Sequence, residues 1–168
     1  MSVVFSRGLS KSDRELAGAA ALAELLCGAL GDLGLGPANL NCRLATPIEI
    51  RRINREFAQS DHVTDVLAFP VAPDEGSGFQ LPPSEEGFLG DIVISVRTAA
   101  TQAELAGDDP QAELQLLAVH GLLHLLGHHH GEQGPADRMT RATALLLGQH
   151  AARRGLPAPR VSQLQPRA

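Results

Sequence analysis

The chain has no tryptophan, no tyrosine and only five phenylalanines among its 168 residues. Aromatic platforms for stacking nucleic-acid bases are therefore scarce. Positive charge is also in short supply: 14 Lys and Arg stand against 19 Asp and Glu, a formal net charge of −5. This excludes a protein that coats nucleic acid through whole-molecule attraction, and leaves room only for a local basic groove. Cys27 and Cys42 are the only cysteines; they form no CxxC motif and no disulfide framework. Both read as buried small apolar residues in a reducing, cytoplasmic compartment. Long hydrophobic runs are missing too. Asp13, Arg14, Glu15 and Glu24 interrupt the Ala/Leu-rich stretch around 15–30, so neither a signal peptide nor a membrane span is expected.

What is present suits a soluble domain: 43% of residues are hydrophobic and 20% charged. The length predicts one domain, over residues 1–154, with one sizeable core. The stretch from Gly155 to Ala168 has prolines and no periodicity, and is expected to be a disordered tail. Ser2–Phe5 reads as an edge strand, and Ser12 or Asp13 as the cap of a following helix whose buried face carries Leu16, Ala20, Ala23, Leu26, Cys27 and Leu30. Gly31–Pro37 is a loop, and Leu40–Ala45 alternates as a half-buried strand does. Thr46-Pro47-Ile48-Glu49 opens a helix with a cap, a first-position proline and a capping-box glutamate, after which Ile50, Ile53 and Phe57 give one apolar face. Val63–Pro70 and Asp91–Val96 read as strands, and the acidic, Pro/Gly-rich stretch 71–88 between them as a long mobile loop. Thr98–Leu105 reads as a short helix. A second begins at Asp109-Pro110 and stops at Gly127, and a last one spans about Ala136–Arg153.

The chemistry concentrates in HGLLHLLGHHHGE, residues 120–132. His120 and His124 are four apart on a predicted helix, so both imidazoles stand on one face, one turn apart. Such a pair can bind one metal ion. Gly127 then breaks the helix, and His130 is spaced to return to the same ion. Three histidines leave a fourth tetrahedral position for water, as catalytic rather than structural zinc sites do. A loose metal-storage tract is the competing reading, but the first two histidines lie in an apolar helix, which favours an ordered site. The spacing is similar to the zinc-protease pattern HExxHxxGxxH. Gly121, however, stands where that pattern has its general-base glutamate, so peptide cleavage is not expected.

Three stretches together resemble the YbeY-type ribosomal RNA maturation factors. HGLLHLLGHHH resembles that family's H-G-x-L-H-L-x-G-Y-D-H signature. LGDIVIS (Leu89–Ser95) is similar to its strand motif, and the segment from Ile53 to Pro70, with VTDVLAFP, to its L-N-x-x-Y-R-x-K-D-x-P-T-D-V-L-S-F-P segment. The resemblance covers about residues 40–132. It implies an α+β fold: a mostly parallel four-stranded sheet packed with helices, with zinc-binding histidines on and after a central helix. It also implies one zinc per chain on His120, His124 and His130. The implied activity is single-strand endoribonuclease action in ribosomal RNA processing, at the small-subunit 3′ end and in ribosome quality control. The implied partners are single-stranded rRNA, the small subunit and assembly factors, in the cytoplasm and away from membranes.

Two departures stand out. His128-His129 replaces the family's Tyr-Asp, with Glu132 as the candidate substitute carboxylate. Ala58 and Ser60 replace an arginine and a lysine, with Arg55, one turn earlier, as the candidate to reach the same pocket. Arg55 and Glu132 are thus the catalytic candidates beside the metal. Arg51, Arg55 and Arg97 are candidate phosphate contacts, each set against a solvated surface charge. Thr64 reads as tying the loop to its strand. Asp91 reads either as orienting an imidazole N–H or as capping a turn. His62 and His150 read as surface residues. Two other functions remain open: a ribosome-assembly binding module with a mainly structural metal, and a metal hydrolase of another substrate.

Overall fold

The computed structural model describes residues 1–71, 87–128 and 135–157. The acidic stretch 72–86 and the tail 158–168, read above as a mobile loop and a disordered end, lie outside the described residues. In chain order the elements are β1 (Ser2–Phe5), α1 (Lys11–Ala17), α2 (Ala19–Asp32), β2 (Asn39–Ala45), α3 (Pro47–Phe57), β3 (Val66–Pro70), β4 (Phe88–Ser95), α4 (Val96–Ala106), α5 (Pro110–Leu125) and α6 (Pro135–Arg153).

Local chemistry sets most of the helix starts. The Thr46 hydroxyl accepts from the Glu49 N–H at 3.2 Å, and the Asp109 carboxylate accepts from the Ala112 N–H at 3.1 Å; a proline holds the first position of both helices. The Glu49 side chain turns to Arg43, 3.4 Å away, where the sequence suggested a capping box. The first helix is capped by Ser10, not by Ser12 or Asp13. Ser10 Oγ accepts from the Asp13 N–H, and the Asp13 carboxylate accepts from the Ser10 N–H, a reciprocal pair that leaves Asp13 buried. Burial pushes the Asp13 carboxyl up, but its hydrogen bonds to Ser10 and the nearby charge of Arg97 outweigh that and hold it below the usual range. Gly18, in the left-handed region at φ 56°, divides what the periodicity presented as one helix into α1 and α2.

The strands form one sheet in the order β1-β2-β4-β3. β1, β2 and β4 run parallel, while β3 pairs antiparallel with β4. The sheet is therefore mixed, and the expectation of a mostly parallel sheet is corrected. The reason lies in residues 58–65. α3 leaves the end of β2 and runs back until Phe57 meets Phe69, which pairs with Asp91 near the start of β4. The chain then returns to the far end, where the Ser95 N–H donates to the Asp65 carbonyl at 2.8 Å. From there β3 can only run against β4.

Alternation divides the side chains between two faces. Leu40, Cys42, Leu44, Ile92 and Ile94 join the main core with α2 and α5, on which α6 also packs. Ala45 and Val93 face the other way and pack with Leu67, Phe69 and α3's Ile50 and Ile53. Phe57 follows Ile53 by one turn but overruns this small core and is 67% exposed, contrary to its apolar-face reading. Cys42 is buried, and burial pushes its thiol up to about 12, whereas Cys27 is exposed, against expectation. No helix among the described residues is long and apolar enough to cross a membrane.

His150, expected on the surface, is only 5% exposed. It lies beside Ala21 of α2 and Ala112 and Gln115 of α5, near the Arg153–Asp32 and Arg154–Glu24 ion pairs that link the end of α6 to α2. Burial lowers its pKa; Glu24 opposes this, and Arg154 and Arg153 add to it. An imidazole with a depressed folded pKa stabilises the fold fully above its ordinary value of 6.5, and this contribution fades as pH falls through 6.5 towards the depressed value. We expect the denaturant midpoint to drop less on acidification to pH 5.5 in His150→Gln than in the wild-type chain. Equal drops in the two proteins would remove His150 as the cause.

Candidate metal centre

α5 lies on β4 at unusually close range, and Gly121 is the reason. A Cβ built at this position would stand 2.7 Å from Ile92 Cγ2, closer than carbon atoms pack. The bare backbone lets the helix settle on the strand. One turn on, Leu125 lies over Gly90, whose own φ of 135° and proximity to the Phe69 carbonyl leave no room for a side chain. α5 thus runs against β4, and its last turn lies above the Pro70–Gly90 end of the sheet.

His120 and His124 flank this contact, both half-buried. Their Nε2 atoms are 3.2 Å apart, and the rings meet edge-on, with centroids 4.7 Å apart and planes at 84°. Two nitrogens bound tetrahedrally at zinc–nitrogen distances of ~2.05 Å would be separated by about 3.3 Å. The separation of the pair is thus close to that of two corners of a zinc tetrahedron. The helix ends in a Schellman turn: the Gly127 N–H donates to His124 C=O and the His128 N–H to Leu123 C=O, both at 3.0 Å, with Gly127 at φ 82°. His128 is exposed. His129, His130 and Glu132 lie outside the described residues, and among the described residues no third His, Cys, Asp or Glu joins the pair.

The other residues singled out by sequence go elsewhere. Arg51 makes a two-pronged contact with Asp61, at 2.9 and 3.1 Å, and Arg97 pairs with Asp13, so both are occupied as structural ion pairs. Arg55 is exposed on α3, which packs on the face of the sheet opposite α5; the structure does not bring it together with the histidines. Asp65 accepts from the Val66 N–H at 2.8 Å, from Thr64 Oγ1 at 3.3 Å and from Gln102 Nε2 at 3.1 Å, tying the loop to β3 and α4. Among the described residues Asp91 orients no imidazole and caps no turn. It points to the α3 side and accepts from Asn41 Nδ2 at 3.1 Å.

Sequence reading missed the surroundings of Asp91. Between α3 and the sheet lies a cavity of about 470 Å³, lined by Arg43, Arg52, Phe57, Phe69, Asp91 and Val93 among others. The alternation of β2 puts Arg43 on that face. No local signal showed that α3 would leave part of the face uncovered.

The family model described as Endoribonuclease YbeY matches residues 17–151. Among curated relatives, Endoribonuclease YbeY of Anaeromyxobacter dehalogenans is 42% identical over 113 residues, covering 67% of this chain and 53% of the relative. That of Chloroflexus aurantiacus is 46% identical over 97 residues, covering 56% and 60%. That of Chloroflexus aggregans is 43% identical over 129 residues, covering 74% and 82%. The chain thus spans little more than half the length of the first two relatives. The solution structure of TM1509 from Thermotoga maritima superposes with a TM-score of 0.55 at 20% identity, covering 100% of this chain and 99% of that one, a likeness of fold.

Two outcomes are expected. His120→Ala and His124→Ala should each weaken zinc binding by at least roughly tenfold in calorimetric titration, with circular dichroism unchanged. Unchanged affinity in both would remove the pair from the metal site. Gly121→Glu, which restores the protease-like pattern, should cost about 3 kcal/mol of stability through the clash with Ile92, and should yield no peptidase activity.

Proposed function

The chain belongs to the YbeY family, and from that premise we propose that it is a zinc-dependent endoribonuclease. It cuts single-stranded ribosomal RNA in maturation of the small-subunit 3′ end and in ribosome quality control. The observation that carries this reading is the convergence of His120 and His124 Nε2 at 3.2 Å on a glycine-terminated helix. Its relatives bear the name Endoribonuclease YbeY.

His120, His124 and His130 would hold one zinc per chain. When bound, the metal supplies charge to a scissile phosphate and acidity to a water beside it. The chain's own residues do the rest. Burial of the α5 face fixes the rotation of the helix and so holds the two imidazoles side by side. The left-handed turn at Gly127 ends the helix three residues before His130 in the sequence. Gly121 keeps the sheet side of α5 free of any carboxylate, so the proton of the attacking water or ribose 2′-OH needs an acceptor from elsewhere, and Glu132 is assigned that role. The Arg55 guanidinium, exposed at the end of α3, is assigned to a phosphate of the strand away from the metal. The partners are single-stranded rRNA, the small subunit and its assembly factors, in the cytoplasm.

A second reading, an assembly factor with a mainly structural metal, is favoured by Ala58, which stands where the family pattern carries an arginine.

The test is elemental analysis matched with cleavage of a small-subunit rRNA precursor. We expect one zinc per chain and cutting of single-stranded segments. His124→Ala should lose at least roughly a hundredfold in rate with its circular dichroism unchanged, and Glu132→Gln a similar factor. A zinc-loaded protein that binds the subunit and never cuts would move the chain to the second reading.

A further inference from the structure

In a chain with five phenylalanines and no other aromatic side chain apart from its histidines, two phenylalanines meet at the mouth of one cavity. Phe57 and Phe69 are edge-on, with centroids 5.6 Å apart and planes at 65°. Phe69 belongs to the small core, but Phe57 is 67% exposed at the last position of α3. No core explains that exposure. The cavity beside it, about 470 Å³, lies within the range of ~300–1,000 Å³ typical of small-ligand sites.

The charges around it are mixed. Arg43 is engaged by Glu49, whereas Arg52 has no ion-pair partner among the described residues. Glu56 and Asp91 also line the walls, and one oxygen of Asp91 is held by Asn41. A balanced set of this kind is no trap for bare phosphate. It offers a π-face, one guanidinium for a phosphate, and carboxylate acceptors for amino groups on the edge of a base. Its position matches. Phe69 pairs with Asp91, next to the Gly90 that lies under Leu125 of the histidine helix, so cavity and histidines occupy the same end of the sheet on opposite faces. β3 is the edge strand on this side of the sheet, and α5 packs on it as well as on β4.

We infer that this cavity is a base-binding subsite for single-stranded RNA. An unpaired base stacks on Phe57 with its amino edge towards Asp91 and Glu56, and an adjoining phosphate lies on Arg52. The strand then rounds the β3 edge towards His120 and His124. This rests on the endoribonuclease reading for its ligand, although binding at the subsite needs no cutting. Because recognition is through a π-face and carboxylate acceptors, adenine is favoured over uracil: it has the larger ring system and an exocyclic amino group. A duplex is excluded, since its bases are not free to leave the stack.

The experiment uses the full zinc-loaded chain and short, fluorescently labelled 2′-O-methyl oligoadenylate and oligouridylate, which report binding by anisotropy without being cut through a 2′-OH. The wild-type chain should bind oligoadenylate more tightly than oligouridylate. Phe57→Ala should lose roughly five- to a hundredfold for oligoadenylate, as removal of one base–aromatic stack does, and should lose the preference. Phe57→Trp should keep both. Arg52→Gln should lower the slope of log affinity against log salt by about 0.7–1. As Phe57 is exposed, its thermal midpoint serves as the folding control. If Phe57→Ala binds as wild type does, or wild type binds neither oligomer, the subsite is overturned. If natural RNA is cut while Phe57→Ala binding is unchanged, the subsite alone fails. Phe57-dependent binding by a chain that never cuts upholds the subsite and sinks the nuclease.

Discussion

The contact of Gly121 with Ile92 governs the rest of the site. Helix and strand can approach this closely only because position 121 carries no side chain. Interiors are packed too densely to absorb an extra methyl group there without moving the helix. The approach fixes the rotation of α5 about its axis. That rotation sends Leu122 and Leu123 into the main core and leaves His120 and His124 half-buried with converging nitrogens. The same glycine that removes a protease-like base from the helix thus sets the geometry of the histidines.

Local order in the chain explains what could be read in advance. His120 and His124 were legible because a four-residue spacing on a helix is a property of the helix alone. The caps at Thr46 and Asp109 and the break at Gly127 were legible for the same reason. The sheet direction was not. β3 runs against β4 because residues 58–65 carry the chain the full length of the sheet before it pairs, and no periodicity records that return.

The remaining misses share one cause: burial decided by partners distant in sequence. His150 reads as a polar residue near a helix end, and becomes buried because α6 brings it beside α2 and the start of α5. Phe57 reads as core because it continues the Ile50–Ile53 spacing, and stays exposed because the sheet beneath it is not covered that far. Asp91 sits in a strand whose neighbours alternate between two faces, and only the packing of α3 and α5 tells which face is which. Arg51 and Arg97 look like free cations until Asp61 and Asp13 are seen beside them.

β4 therefore serves two chambers with one backbone. Ile92 supports the histidine helix, while Asp91 and Val93, its immediate neighbours, line the cavity beneath α3. Side-chain period two means that a slip of one residue in pairing would exchange the chambers' linings wholesale. Substitutions on α3 or α5 can tune one chamber and leave the other unchanged. A change in the register of β4 has no such freedom, so the strand acts as a shared axle between two otherwise separable halves of the molecule.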